Sequence, residues 1–380
     1  MACKEARLER RALLDDATHC AYGATGLSEK RSSSPCEQQK RLQAPQPDRW
    51  MSDLDDGLPA SAITIPGSHD SAAFTNALPF VATQTMNIKQ QLNAGIRFFD
   101  LRCGIRDDIV EMVHGPTYLS LRLGEVLRAM YDWLDHHSTE GIIVQIKQDR
   151  EDKNSTVDFA HAIASVIRRR SARWRTANTT PRVGELRGRI QLFRRFEGPS
   201  LYAYGIDVSQ WQDNPRVPFT ICTSHGIKVT IQDHYNWSDP TGLPGVIAEK
   251  GGDVASLLNR AADDLDIHHW FINFTSAFEF NLFYQLPPKE VALGGYWAFK
   301  WEEGMNVRLR TWLSQKPRRR RRYGIVAMDF PESGADDLIM EIIMANFERS
   351  ASIVWDGLCF WLPMCLVWTM VILLTFSFLP

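Results

Sequence analysis

The chain carries almost no net charge: 43 Lys and Arg stand against 45 Asp and Glu, a formal charge of −2. The basic footprint of a nucleic-acid binder is missing, so no nucleic-acid partner is expected. Cysteine is sparse, seven in 380 residues. That excludes a disulfide scaffold, and the positions 3, 20, 36, 103, 222, 359 and 365 contain no C-x-x-C, which argues against a structural zinc site. The first fifty residues lack the apolar stretch of a secretory leader. No short internal repeat is evident. Apolar substance, by contrast, is ample. Hydrophobic residues make up 44% of the chain, well away from the composition that stays disordered. The length suits a single barrel of about 250 residues with extensions at both ends.

Those ends differ. Residues 1–50 are polar, with Ser and Pro clusters and no sustained period, and read as a disordered extension. From Leu358 to Leu379 there is no charge at all. A run of this length can cross a bilayer core of about 30 Å as one helix. Residues 353–380 therefore read as a hydrophobic helical tail and membrane anchor, with a GPI-attachment signal or a faulty gene end as alternatives. The absence of a leader favours a membrane-associated protein facing the cytoplasm.

Residues 51–350 alternate between short apolar, β-branched runs and helical stretches. The strand candidates are 61–65, 96–101, 109–113, 142–147, 189–193, 229–232, 269–275 and 324–328. Helices are expected over 87–94, 121–136, 157–170, 253–264 and 305–314. Several strand candidates are apolar nearly throughout, as strands buried on both faces are. About eight strands alternating with helices predict an α/β fold, a TIM-type (β/α) barrel that is distorted or partly open.

The reactive residues sort onto strand ends. His69 and Asp70 follow the first strand, Asp100 and Arg102 end the second, and His114 ends the third. Lys147 and Asp149 end IIVQIKQD, Arg195 follows RIQLF, Asp233 and Tyr235 follow VTIQ, and Asp329 follows GIVAM. A parallel barrel gathers such residues at one mouth, where its active site sits. Two histidines near carboxylates suit acid–base catalysis. Arg102, Lys147 and Arg195 suit an anionic substrate, and a guanidinium matches phosphate geometry. Asp233 and Tyr235 suit sugar hydroxyls. Together they point to cleavage of a polyol phosphodiester without an obligatory metal.

IPGSHDSAAF (65–74), GIRFFDLR (95–102) and VHGPTYL (113–119) resemble the X domain of phosphatidylinositol-specific phospholipase C. The likeness continues in order through 142–152, 186–196, 229–236, 271–277 and 324–330, covering about residues 55–350. The resemblance implies that His69 is the general base and deprotonates the inositol 2-hydroxyl, and that His114 protonates the departing diacylglycerol oxygen. It implies that Arg102 stabilises phosphate charge, Asp329 orients His69, and Asp70 supports Arg102 and the leaving-group end. Asp100, Lys147, Arg195, Asp233 and Tyr235 match inositol-binding positions. The implied products are diacylglycerol and a 1,2-cyclic inositol phosphate. Asp70 and Arg102 stand where calcium-dependent members carry Asn and a carboxylate, so the likeness is to the bacterial, metal-independent branch; a calcium site needs hard oxygen ligands. No D-x-D-x-D-G loop occurs.

No cofactor, metal or protein partner is implied; the expected partner is a phospholipid membrane bearing phosphatidylinositol. The loop 77–84 lacks the tryptophan that bacterial members use at the lipid surface. Phe80, Phe280 and Phe283 are candidate membrane contacts, with core packing as the alternative reading. The run 318–322, five arginines, reads as a solvated loop or as a contact with anionic lipid. A phosphodiesterase acting on another head group, such as a GPI glycan or a glycerophosphodiester, and an inactive lipid-binding module are the competing readings.

Overall fold

A computed structural model describes residues 44–348 apart from 76–77, 199–203, 238–241, 281–283 and 318. Of these, Pro45–Glu348 belong to one unit; the second unit, Ser28–Ala44 with Arg349–Pro380, lies outside the described residues except for Ala44. The expected disordered extension up to residue 43 and the expected hydrophobic tail at 353–380 therefore fall outside the description. Among the described residues no helix is long and apolar enough to cross a membrane. The folded chain begins slightly before the boundary expected at residue 51. Pro47–Asp53 forms a 3-10 helix, and its Trp50 is wholly buried with the indole donating to the Gly95 carbonyl at 3.0 Å.

The strands are β1 Ile65–Ser68, β2 Phe98–Arg106, β3 Ile109–His114, β4 Thr117–Arg122, β5 Ile142–Gln148, β6 Trp174–Arg175, β7 Ile190–Arg195, β8 Ile206–Asp207, β9 Phe219–Cys222, β10 Lys228–Gln232, β11 Trp270–Phe274, β12 Glu279–Phe280, β13 Gln285–Leu286, β14 Gly294–Trp297, β15 Lys300–Glu303 and β16 Ile325–Met328. The central path runs β7-β5-β2-β1-β16-β11-β10, every neighbouring pair parallel. The last strand, β16, pairs with the first, β1, as closure of a barrel requires. β1 and β16 are buried throughout and β11 likewise, the burial of strands covered on both faces.

Closure is incomplete. The outer edge of β7 is shared by β6 along its start and β8 along its end, and the outer edge of β10 is taken by antiparallel β9. Among the described residues no ladder joins β8 to β9 or β10. Side chains span this seam instead. Arg195, ending β7, lies 3.7 Å from the carboxylate of Asp233, just past β10, and Trp211 from the connecting segment bonds Asp233 and lies beneath Arg195.

The helices follow local rules. Asn87 and Gln90 close a capping box on Ile88–Ala94, and Gly95 ends it at φ 110°. In Leu123–His136 the buried residues Leu123, Val126, Leu127, Met130 and Leu134 recur at helical spacing. The helix Gly242–Asp263 starts eleven residues before the expected position 253. Pro244 and four glycines mask it in sequence, yet proline is tolerated in a first turn. The expected strand 61–65 is shifted: Ala60–Ala62 is a 3-10 turn and β1 starts at Ile65. Gly67 of β1 packs against β2 so closely that a Cβ there would stand 2.9 Å from the Phe98 ring.

The barrel floor is tied by Arg97. Its guanidinium is buried, bonds Glu140 at 2.8 and 3.1 Å and the carbonyls of Leu92, Ile96 and Pro47, and lies between the rings of Trp50 and Trp133. Residues 319–322, the described part of the arginine run, precede β16 and so sit at this floor, away from the strand ends that carry the histidines. Arg322 donates to the carbonyls of Ala261, Asp264 and Asp266, capping the end of the long helix. Arg322 thus satisfies a helix terminus, while Arg319 and Arg320 are exposed.

Candidate active site

The strand ends meet in one cavity of about 360 Å³, lined by His69, Arg102, His114, Lys147, Asp149, Arg195, Asp233, Tyr235 and Asp329 among others. Asp70 and Asp100 lie beneath it, 1% and 0% exposed. All ten residues singled out as catalytic or inositol-binding thus stand at one end of the barrel.

His69 leaves β1 and its Nδ1 lies 2.7 Å from Oδ1 of Asp329, which follows the neighbouring β16. On the other side of the ring, Arg102 Nη2 lies 2.8 Å from Nε2. A guanidinium only donates, so Nε2 holds the lone pair and Nδ1 carries the proton toward Asp329. Burial by itself would lower the His69 pKa; Asp329 outweighs it against opposition from Arg102, and the imidazole ends above its ordinary value of 6.5. Gln84 and the backbone beside it hold the turn: Gln84 Nε2 donates to the carbonyls of His69 and Met328.

Asp70 adopts φ 43°, a left-handed conformation that Asp tolerates better than most residues. This turns the chain immediately after β1. Its carboxylate lies 3.4 Å from Arg102 Nε and 3.5 Å from His114 Nε2, with both oxygens buried and without a hydrogen bond. Arg102 Nε also donates to Asp100 at 3.3 Å. Asp100 is buried, which alone would raise its pKa, but Arg102 chiefly, with His69 and Arg195, holds it well below the carboxylate range. Burial likewise opposes charge on Arg102, and Asp70, Asp100, Asp149 and Asp233 overcome it, so the guanidinium is held cationic. His114 is fixed from behind: Nδ1 donates to the Val81 carbonyl at 2.7 Å. A relay of one hydrogen bond and two ionic contacts therefore runs His69–Arg102–Asp70–His114 across the mouth.

Around this relay lie the polar walls. Lys147 pairs with Asp149, and burial together with Arg102 and Arg195 lowers the lysine pKa. Trp211 Nε1 donates to Asp233 at 2.8 Å, and Arg195 sits over the indole at 4.0 Å. Tyr235 donates to Asp213 at 2.8 Å and stacks on Phe278. Trp211, Asp213 and Ser276 escape the sequence reading, and Phe278, expected as an apolar contact of the loop after 271–277, is found against Tyr235 instead. All four belong to the irregular segments 208–218 and 275–278, where no period marks a strand end.

The membrane contacts expected at Phe80 and Phe280 meet edge to face at 5.7 Å, joining two mouth loops; Phe280 is 62% exposed and is not core. Phe283 lies outside the described residues. Among the described residues no group of three or more His, Cys, Asp or Glu is arranged to hold a metal ion.

Residues 58–196 match the family "Phosphatidylinositol-specific phospholipase C, X domain". A 1-phosphatidylinositol phosphodiesterase of Staphylococcus aureus is 30% identical over 243 residues, 60% of this chain and 75% of that protein. Among solved structures, one of the S. aureus phosphatidylinositol-specific phospholipase C, from work on modulation of its membrane binding, superposes with a TM-score of 0.66. It is 26% identical, over 80% of this chain and 98% of that one. The Listeria monocytogenes enzyme shares the fold at a TM-score of 0.58, 24% identity, and 80% and 99% coverage. The chain belongs to the phosphatidylinositol-specific phospholipase C X-domain family.

Proposed function

We propose that the chain is a phospholipase C that cleaves phosphatidylinositol to diacylglycerol and 1,2-cyclic inositol phosphate. The observation that carries this reading is the relay His69–Arg102–Asp70–His114, two histidines at opposite ends of one guanidinium–carboxylate pair whose carboxylate is buried. The lone pair on His69 Nε2 takes the proton of the inositol 2-hydroxyl. The hydroxyl oxygen attacks the adjoining phosphorus, the bond from phosphorus to the glycerol oxygen breaks, and that oxygen takes a proton from His114 Nε2. Asp329 stabilises the imidazolium that forms on His69, and Asp70 that of His114 before transfer. Arg102 faces the phosphate with a charge that burial cannot remove, the electrostatic role a preorganised cation fills best. Lys147, Arg195, Asp233 and Tyr235 surround the ring; Asp100 acts beneath them by holding Arg102.

The test is product analysis by ³¹P NMR, with full-length protein and phosphatidylinositol in mixed micelles containing EDTA. A cyclic inositol phosphate signal that disappears in His69→Ala supports the reading; diacylglycerol release only after calcium is added overturns the role given to Arg102. The two histidines separate on a substrate whose leaving group needs no proton, such as a p-nitrophenyl inositol phosphate. His114→Ala recovers most of its activity there and His69→Ala does not. Equal recovery, or none, would reverse or remove the assignment of acid and base.

A further inference from the structure

The strands β14 and β15 form a hairpin, Gly294–Glu303, that the cavity does not use. Its two-residue turn is Ala298–Phe299, at φ 46° and 67°. Such turns ordinarily take Asn-Gly because both positions need positive φ. Here an aromatic residue occupies one of them and is 104% exposed. A strained backbone and an unburied phenyl ring are two costs at one position, and nothing within the described residues offsets either. Directly behind the turn, Tyr296 and Trp301 face each other across the ladder, ring to ring at 5.3 Å, and are 77% and 50% exposed.

The opposite face is fastened to the mouth. The Trp297 ring meets Tyr284 edge to face at 5.0 Å, and Gly242 approaches it so closely that a Cβ would stand 2.4 Å from the indole. Both roots of the hairpin lie at the mouth: Pro288, opening the helix before it, lines the cavity, and Asn306, opening the helix after it, donates to the carbonyls of Asp329, Phe330 and Ser333. The loop that supplies Tyr284 also supplies Phe280, which touches Phe80. Aromatic contacts thus join Phe80 to Phe280 and Tyr284 to the hairpin.

We propose that this hairpin is a membrane-docking element that seats Phe299, flanked by Tyr296 and Trp301, in the headgroup layer of the bilayer that holds the substrate. Tyr and Trp suit that layer because each presents an apolar body with a polar edge. Lys300, beside the tip and opposite Trp297, adds an exposed cation next to it, although it also reaches Glu302 at 3.0 Å. This inference rests on the lipid substrate proposed above.

It is tested in the full chain with an environment-sensitive fluorescent amino acid placed at position 299 by stop-codon suppression. Vesicles of phosphatidylcholine with phosphatidylinositol should shift the probe to the blue, and brominated acyl chains should quench it. Phe299→Ser should lower turnover on vesicles about tenfold, the loss expected when one phenyl ring no longer leaves water, with turnover of a soluble short-chain phosphatidylinositol unchanged. A probe that stays in water while the protein sediments with vesicles overturns the inference. So does a probe that shifts without lipid as protein concentration rises, since a second copy of the chain would then cover the tip. Quenching without any turnover would leave docking standing and defeat the catalytic reading.

Discussion

His69 is buried, and burial on its own disfavours an imidazolium; Asp329 at 2.7 Å, with help from Asp70, more than reverses this. The base form of His69 therefore exists only above a pKa raised over 6.5, and kcat/KM should fall as pH drops through that value. Replacing Asp329 with Asn removes the chief raising influence and leaves burial and Arg102 opposed by Asp70 alone. The acid limb should then move to lower pH while the plateau falls about 10²–10⁴-fold. A limb that stays in place or moves upward would refute the pairing. Arg102→Lys keeps one positive charge but loses the fork that reaches His69, Asp70 and Asp100 together, and should cost about 10²–10³ in kcat. Residues of this kind were legible in sequence because each follows an apolar run within a short motif. Asp213, which orients Tyr235, was not, because it lies in a segment of no regular structure and shows its role only through a contact 22 residues away.

Elements with strong periodicity emerged where expected: the helix Met305–Ser314 keeps its expected bounds, and the alternation of strands and helices gave the barrel. Elements with weak signals did not. The first half of Gly242–Asp263 is hidden by glycine and proline, and the two-residue strands β6, β8, β12 and β13 are too short to show a period. The hairpin β14–β15 has no turn signature at Ala298–Phe299. The segment after β8 acts through Trp211, which holds Asp233 by its indole N–H and supports Arg195 by its face. Trp211→Ala removes one hydrogen bond and one cation–π contact, and should raise KM for the inositol lipid about tenfold with kcat little changed. A fall in kcat with KM intact would mean that Trp211 supports the reacting atoms rather than the ring.

At the scale of the molecule the barrel separates stability from chemistry. Arg97 and Glu140 lie at its floor, 1% and 0% exposed, and serve the fold alone. Glu140→Gln leaves a buried guanidinium short of its counter-charge and should cost about 3–5 kcal/mol in denaturant unfolding, with turnover per folded molecule unchanged. Loss of turnover without loss of stability would place that pair in the chemistry instead. The barrel is closed where β16 meets β1. The seam opposite has another consequence. Its two banks are held by Arg195 on one and Asp233 on the other, which are also the groups proposed to grip the inositol ring. A bound head group is then a clasp on the barrel itself. Amide protons of β7, β8 and β10 should exchange fastest among the barrel strands in the free protein and slow most when inositol phosphate is present, so that occupancy is felt as stiffness along one line of the wall.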